Sequence, residues 1–141
     1  MVRIRKYQEK DKMAVSNFVV RLREEIFGSP PKDISDLLDI KSGYYLFLVV
    51  EEKGKIVGTC GLYKRNYGGE LRRVYLEKEF RKNRLGSKMI KRIFDYAKNN
   101  HIQQVNVFTL KTNTAAVNFF SKVGFKKTKT KDGKVYFEKL F

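Results

Sequence analysis

The 141-residue sequence predicts an α+β fold, with a mixed, mostly antiparallel central sheet of about seven strands, the fourth of them bulged, and about four helices on its faces. Three observations lead there. Stretches near residues 18, 90 and 118 carry apolar residues at helical spacing, the runs between them change to strand-like alternation, and glycine-containing turns separate those runs. The resulting order is β-α-α-β-β-β-α-β-α-β-β.

Val2, Ile4 and Lys6 begin a short strand. Asp11 then precedes Val15, Phe18, Val19, Leu22 and Ile26, an amphipathic helix with Asp11 as its N-cap candidate and Gly28-Ser29-Pro30-Pro31 as its stop. Asp33 to Ile40 reads as a short second helix with Ile34, Leu37 and Leu38 inward. Tyr45 to Glu51 and Ile56 to Tyr63 flank the turn Glu52-Lys53-Gly54-Lys55 and form an antiparallel hairpin.

The next strand starts near Glu70. Leu71 and Val74 are three apart and Val74 and Leu76 two apart, so a regular strand cannot turn all three inward; an extra residue at Arg72-Arg73, a β-bulge, restores the alternation. Leu85, Met89, Ile93, Phe94 and Ala97 fall on one helical face, with Lys88, Lys91, Arg92 and Asp95 opposite. Val105, Val107 and Thr109 alternate in a further strand. Asn113 or Thr112 caps a last helix carrying Ala116, Phe119, Phe120 and Val123, which ends at Gly124. Phe125 to Thr130 and Val135 to Leu140 flank Asp132-Gly133, the signature of a two-residue hairpin turn.

Composition narrows the function classes. With 42% apolar and 13% aromatic residues the chain reads as globular and not disordered. No linker or repeat divides it, so residues 1 to 141 read as one domain. Cys60 is the only cysteine and His101 the only histidine, which removes support for a disulfide framework or a structural metal; no metal is expected. No stretch approaches the roughly eighteen apolar residues that span a bilayer, and the N-terminus lacks an apolar leader, so the expected location is the cytoplasm, away from membranes. Net charge is +16, from lysines scattered along the whole chain. An evenly solvated basic surface fits that scatter better than a nucleic-acid stripe.

Residues 74 to 87 run strand, basic loop, helix. The loop enters the helix at Gly86-Ser87, where unpaired N–H groups and the helix dipole favour a phosphate. Arg81, Lys82 and Arg84 would add charge-assisted bonds, and Gly86, without a Cβ, would let a pyrophosphate approach the backbone. Taken alone, a solvated basic loop explains the same residues.

The segment GELRRVYLEKEFRKNRLGS, Gly69 to Ser87, resembles the acetyl-coenzyme A motif of the GNAT superfamily of N-acetyltransferases, whose loop reads Gln or Arg, two residues, Gly, one residue, then Gly or Ala. Arg81 and Gly86 match its ends. Asn113, Ala116 and Gly124-Phe125 resemble the second half of the family signature, and the order of elements, bulged fourth strand included, resembles the family fold. Two departures stand out. Arg84 takes the place of the first glycine and is expected to do so without positive φ, and Phe120 stands where many members carry a tyrosine that protonates the departing thiolate.

The resemblance implies a GNAT-like acyltransferase that passes an acetyl group from acetyl-coenzyme A to a primary amine, of a small molecule or a protein, by direct attack in a ternary complex. It also implies that the backbone at Val74 and Leu76 pairs with the pantetheine arm, that Arg81, Lys82, Asn83, Arg84, Leu85, Gly86 and Ser87 hold the pyrophosphate, and that Asn113 and Phe120 complete the cofactor site. Glu70 is the candidate base; a strand-end carboxylate paired with Arg72 or Arg73 is the equal alternative. Tyr75 and Tyr136 are candidate acids. Cys60 reads as a buried inert thiol, and His101 as a helix-end residue. Segments near Arg21 to Ile40 and Lys129 to Lys134 would shape the acceptor site, where Glu24 and Glu25 could attract a cationic amine or equally form a solvated helix end. A non-catalytic coenzyme A-binding module is the second reading and a basic nucleic-acid-binding domain the third; a homodimer is left open.

Overall fold

The computed structural model describes residues 1–141. Seven strands form one sheet: β1 (Val2–Lys6), β2 (Tyr44–Glu52), β3 (Lys55–Arg65), β4 (Gly68–Leu76), β5 (Gln104–Leu110), β6 (Lys126–Lys131) and β7 (Lys134–Leu140). Their order across the sheet is β1-β2-β3-β4-β5-β7-β6, and every neighbouring pair is antiparallel except β4 with β5. The helices are α1 (Lys12–Phe27), α2 (Ser35–Leu38), α3 (Ile40–Gly43), α4 (Leu85–Asn99) and α5 (Thr114–Lys122). That is the expected α+β architecture, with five helices in place of about four.

The two faces of the sheet bury separate cores. On one, Val15, Phe18, Val19 and Leu22 of α1 cover Phe47 and Val49 of β2. On the other, Leu85, Met89, Ile90 and Ile93 of α4 pack on the β2 to β5 strands, with Phe120 of α5. The period-2 strands feed both: Leu46, Leu48 and Val50 face α4, whereas Phe47 and Val49 face α1. Burial of such side chains contributes about 1.5–3 kcal/mol each. Cys60 belongs to the α4-side core and is fully buried, as expected; burial pushes its thiol pKa up, so it stays protonated.

Local departures from the expected elements have identifiable causes. Asp11 does not cap α1: its own backbone is already helical, and its carboxylate turns back to accept from both terminal nitrogens of Arg5, at 2.8 and 2.9 Å, and from the Gln8 N–H at 2.8 Å. Ile26 is 39% exposed because the last turn of α1 runs past the core, up to Gly28, which ends the helix at φ 80. The expected helix from Asp33 to Ile40 splits in two at Asp39, whose φ of −145 and ψ of 69 are not helical. One turn cannot turn a whole stripe inward, so Leu37 is buried while Leu38 is 56% exposed. Asp132 and Gly133, at φ 53 and 75, make the β6–β7 turn where expected. Every residue of β6 is exposed, and its lysines line the free edge of the sheet, where charge deters pairing with other strands.

Candidate active site

The site begins with the register of β4. Gly61 faces Arg72 and Thr59 faces Tyr75, so Arg73 and Val74 together oppose the single residue Cys60. The bulge therefore lies one residue beyond the expected Arg72-Arg73. It lets Leu71, Val74 and Leu76 all reach the α4-side core, as the uneven spacing demanded. Arg73 carries it at φ 56, and its carbonyl accepts from Thr59 Oγ1 at 2.8 Å.

From Leu71 onward, through the bulge, β4 has no neighbour on its other side. It pairs with β5 only at Gly69 with Val105 and Glu70 with Asn106, and the two strands then separate. Glu77 N–H donates to the Val57 carbonyl, so alternation turns the Leu76 amide and carbonyl towards the open edge. There Arg81 Nε donates to the Leu76 carbonyl at 2.9 Å. A cleft of about 410 Å³ occupies the gap and takes in Leu71, Val74, Tyr75, Val107, Asn113 and Phe120 among its lining.

The loop from Arg81 to Ser87 curls tightly. Lys82 and Arg84 both sit at φ 68, so the expectation that Arg84 avoids positive φ is overturned. A non-glycine residue in this region costs on the order of 1–2 kcal/mol, and such strain collects at functional sites. The curl leaves α4 with a bare start: Leu85 N–H donates to Asn83 Oδ1 at 3.4 Å and Lys88 N–H to the Arg84 carbonyl at 3.0 Å, while the Gly86 and Ser87 amides have no acceptor within the protein. Those are the donors a diphosphate requires. Gly86 has a further reason to be glycine, since a Cβ there would stand 3.1 Å from the Phe119 ring of α5.

Val74, Asn113 and Phe120 thus share the cleft, while Leu76 and residues 81–87 do not line it. Asn113 caps α5 through the Ala116 N–H at 3.2 Å. Phe120 serves the core as well, at 5% exposure, with its ring 5.5 to 5.8 Å from Phe119, Phe125 and Phe137. Of the two tyrosines weighed as acids, Tyr75 lines the cleft; Tyr136 does not and packs against Phe108. Glu70 is not among the residues lining the cleft; it stands where β4 and β5 still pair, opposite Asn106. It is held by Arg65, at 2.9 Å, and by Arg72, at 3.5 Å; Arg73 takes no part. Both contacts fall on Oε1, leaving Oε2 free of protein partners.

The solvated helix end is the reading of Glu24 and Glu25 that fits. Glu24 and Glu25 lie on the outer side of α1 and not on the cleft, Glu25 paired with Arg21 at 3.3 Å. His101 is exposed at φ 58 in the turn after α4, the helix-end position expected of it. Reasoning from sequence missed Arg73, whose guanidinium crosses to α2 and meets Asp36 in a two-point ion pair, while Nη2 also donates to the Asp33 carbonyl at 2.9 Å. Tyr44 O–H completes the group by donating to Asp36 Oδ2 at 2.5 Å. Burial alone would raise the Asp36 pKa; hydrogen bonds from Arg73 and Tyr44 outweigh it and hold the carboxyl below its ordinary value.

The family model described as acetyltransferase (GNAT) family matches residues 13–125. A probable N-acetyltransferase, camello, of Xenopus tropicalis is 31% identical over 102 residues, which are 67% of this chain and 47% of that protein, so the chain spans about half the length of this relative. Among solved structures, an acetyltransferase of the GNAT family from Staphylococcus aureus Mu50 superposes at a TM-score of 0.89 with 21% identity, covering 99% of each chain. The PaiA N-acetyltransferase of Thermoplasma acidophilum, solved in complex with coenzyme A, superposes at 0.84 with 18% identity, covering 100% of this chain and 99% of that one. At such identities the structural likeness establishes the fold.

Proposed function

The chain belongs to the acetyltransferase (GNAT) family, and from that premise we propose that residues 1 to 141 form one acetyltransferase domain that moves an acetyl group from acetyl-coenzyme A to a primary amine by direct attack in a ternary complex. The observation that carries the reading is the pair of unpartnered Gly86 and Ser87 amides on a loop that Arg81 ties to the open edge of β4, where β4 and β5 have separated. The amides and the side chains of Lys82 and Arg84 take the pyrophosphate, with Arg81 anchoring the loop to the strand end. The open edge at Val74 and Leu76 receives the pantetheine arm as a strand would. Asn113, through the start of α5, and Phe120, through its ring, bound the channel.

In this site the amine nitrogen attacks the thioester carbonyl, the carbon–sulfur bond breaks, and the thiolate takes a proton. Holding both reactants in one cleft makes the encounter nearly unimolecular, and backbone N–H groups at the open edge of β4 polarise the carbonyl oxygen. Glu70 accepts the amine proton at Oε2 through water. Phe120 cannot donate, so Tyr75, on the cleft wall, protonates the sulfur. The chemistry asks for no metal. No helix is long and apolar enough to cross a membrane; the location that suits acetyl-coenzyme A as cosubstrate is the cytoplasm.

The test is thiol release. Acetyl-coenzyme A should raise the melting temperature, since a ligand bound only by the folded state stabilises it, and a panel of amines should then liberate thiol. A rise in melting temperature without thiol release from any amine would favour the non-catalytic coenzyme A-binding module suggested by Phe120; no rise would remove both readings.

A further inference from the structure

The charges on the cleft point to the acceptor. Among its lining residues are five cations, Arg23, Lys32, Arg72, Arg73 and Lys134, against one carboxylate, Asp33. Asp33 is occupied locally, its Oδ1 accepting from the Ser35 N–H at 2.8 Å. Arg72 and Arg73 are paired with Glu70 and Asp36. Arg23, Lys32 and Lys134 have no carboxylate within ion-pair distance. Arg23 is the most constrained of these: its guanidinium lies 4.4 Å from the Phe27 ring centre, and its Nε is shielded from water with no hydrogen-bond partner. A shielded donor without an acceptor is costly, and an anionic ligand drawn to this guanidinium would offset part of that cost.

These three cations come from the end of α1, the α1–α2 connection and the start of β7, and none belongs to the 81–87 loop, which contributes nothing to this cleft. Resting on the proposed acetyl transfer, the geometry points to an acceptor that carries a negatively charged group, a carboxylate or a phosphate, beside its primary amine. The anion is held by Arg23 and Lys32, with Lys134 facing it from the hairpin. A polycationic acceptor is repelled from the same mouth. The cationic surroundings also disfavour the ammonium form of the bound amine, which eases loss of the proton before attack.

A matched series tests this: 3-aminopropanoate, 3-aminopropanol and 1,3-diaminopropane, compared by kcat/KM for thiol release at low and high salt. The expected result is a preference for 3-aminopropanoate over the diamine of about tenfold or more at low salt, shrinking as salt screens the charges. Arg23→Gln and, because Arg23 is half-buried, the exposed Lys32→Gln should each lower that ratio, through KM more than kcat. Equal or faster turnover of the diamine, or ratios untouched by both substitutions, would overturn the inference while leaving acetyl transfer in place. Thiol release from none of the three, by protein whose melting temperature rises with acetyl-coenzyme A, would overturn the inference and count against the transfer itself.

Discussion

Arg73 and Asp36 meet with Nη2 2.6 Å from Oδ1 and Nε 3.0 Å from Oδ2, and the two side chains are only 11% and 6% exposed. The pair joins the residue that makes the β4 bulge to α2, just after the cleft residues Lys32 and Asp33. Breaking one side of a pair this deeply buried leaves an uncompensated charge, so Arg73→Ala should cost about 3 kcal/mol. Denaturant titration of Arg73→Ala, Asp36→Asn and the double variant checks it. The expected coupling is at least about 1 kcal/mol, and independent, additive effects would show that the pair does not act as a unit.

Acid should expose the same pair together with Asp11. The Asp11 carboxyl is held below its ordinary value chiefly by the Arg5 hydrogen bonds, and the Asp36 carboxyl by Arg73 and Tyr44 against its burial. For a carboxyl depressed in the folded state, stability is fully present above the unfolded value of about 3.9 and is lost as pH falls through the folded value. Stability measured from pH 5 to pH 2 should therefore fall steeply, and Asp11→Asn and Asp36→Asn should each flatten the slope. An unchanged slope in both variants would contradict the assignment.

Arg84 sets stability against cofactor binding. At φ 68 it occupies backbone space that glycine takes without strain, so Arg84→Gly should raise stability of the unliganded protein by about 0.5–1 kcal/mol. The same change removes a cation from the proposed diphosphate site, and the dissociation constant for acetyl-coenzyme A should rise several-fold. Calorimetry on the two proteins separates the effects; tighter binding by the glycine variant would argue that the arginine has no part in holding the cosubstrate.

In the proposed reaction Glu70 and Tyr75 carry proton transfer. Glu70→Gln should lower kcat by about 100-fold near neutral pH, recovering as pH approaches the free amine's own pKa of about 10. Tyr75→Phe should lower kcat with little change in the binding of acetyl-coenzyme A, which does not need the hydroxyl. Full activity across pH in Glu70→Gln would remove it as base.

Much of this was legible because apolar spacing is a local signal. Leu71, Val74 and Leu76 announced a bulge by their uneven separation, and the structure moves it by a single residue, to Arg73 and Val74. The bare helix start at Gly86 followed from the loop and stripe around it. What could not be read were the choices that depend on partners distant in the chain. Asp11 looks like a cap until Arg5 and Gln8 claim its oxygens, and Glu24 and Glu25 look like a cationic-amine site until α1 is docked and turns them outward. Arg73 and Asp36 are 37 residues apart, and nothing in their immediate neighbours marks them as a pair. Lys82 and Arg84 at positive φ were missed because residue type argues against it, which is the usual way a strained site escapes propensity reasoning.

The most direct measurement is a crystal structure with coenzyme A bound. The pyrophosphate should lie about 3 Å from the amide nitrogens of Gly86 and Ser87, with the pantetheine along Val74 and Leu76 and the thiol in the cleft beside Tyr75. A cofactor bound elsewhere, or a loop from Arg81 to Ser87 whose amides stay turned away from it, would contradict acetyl transfer at this site.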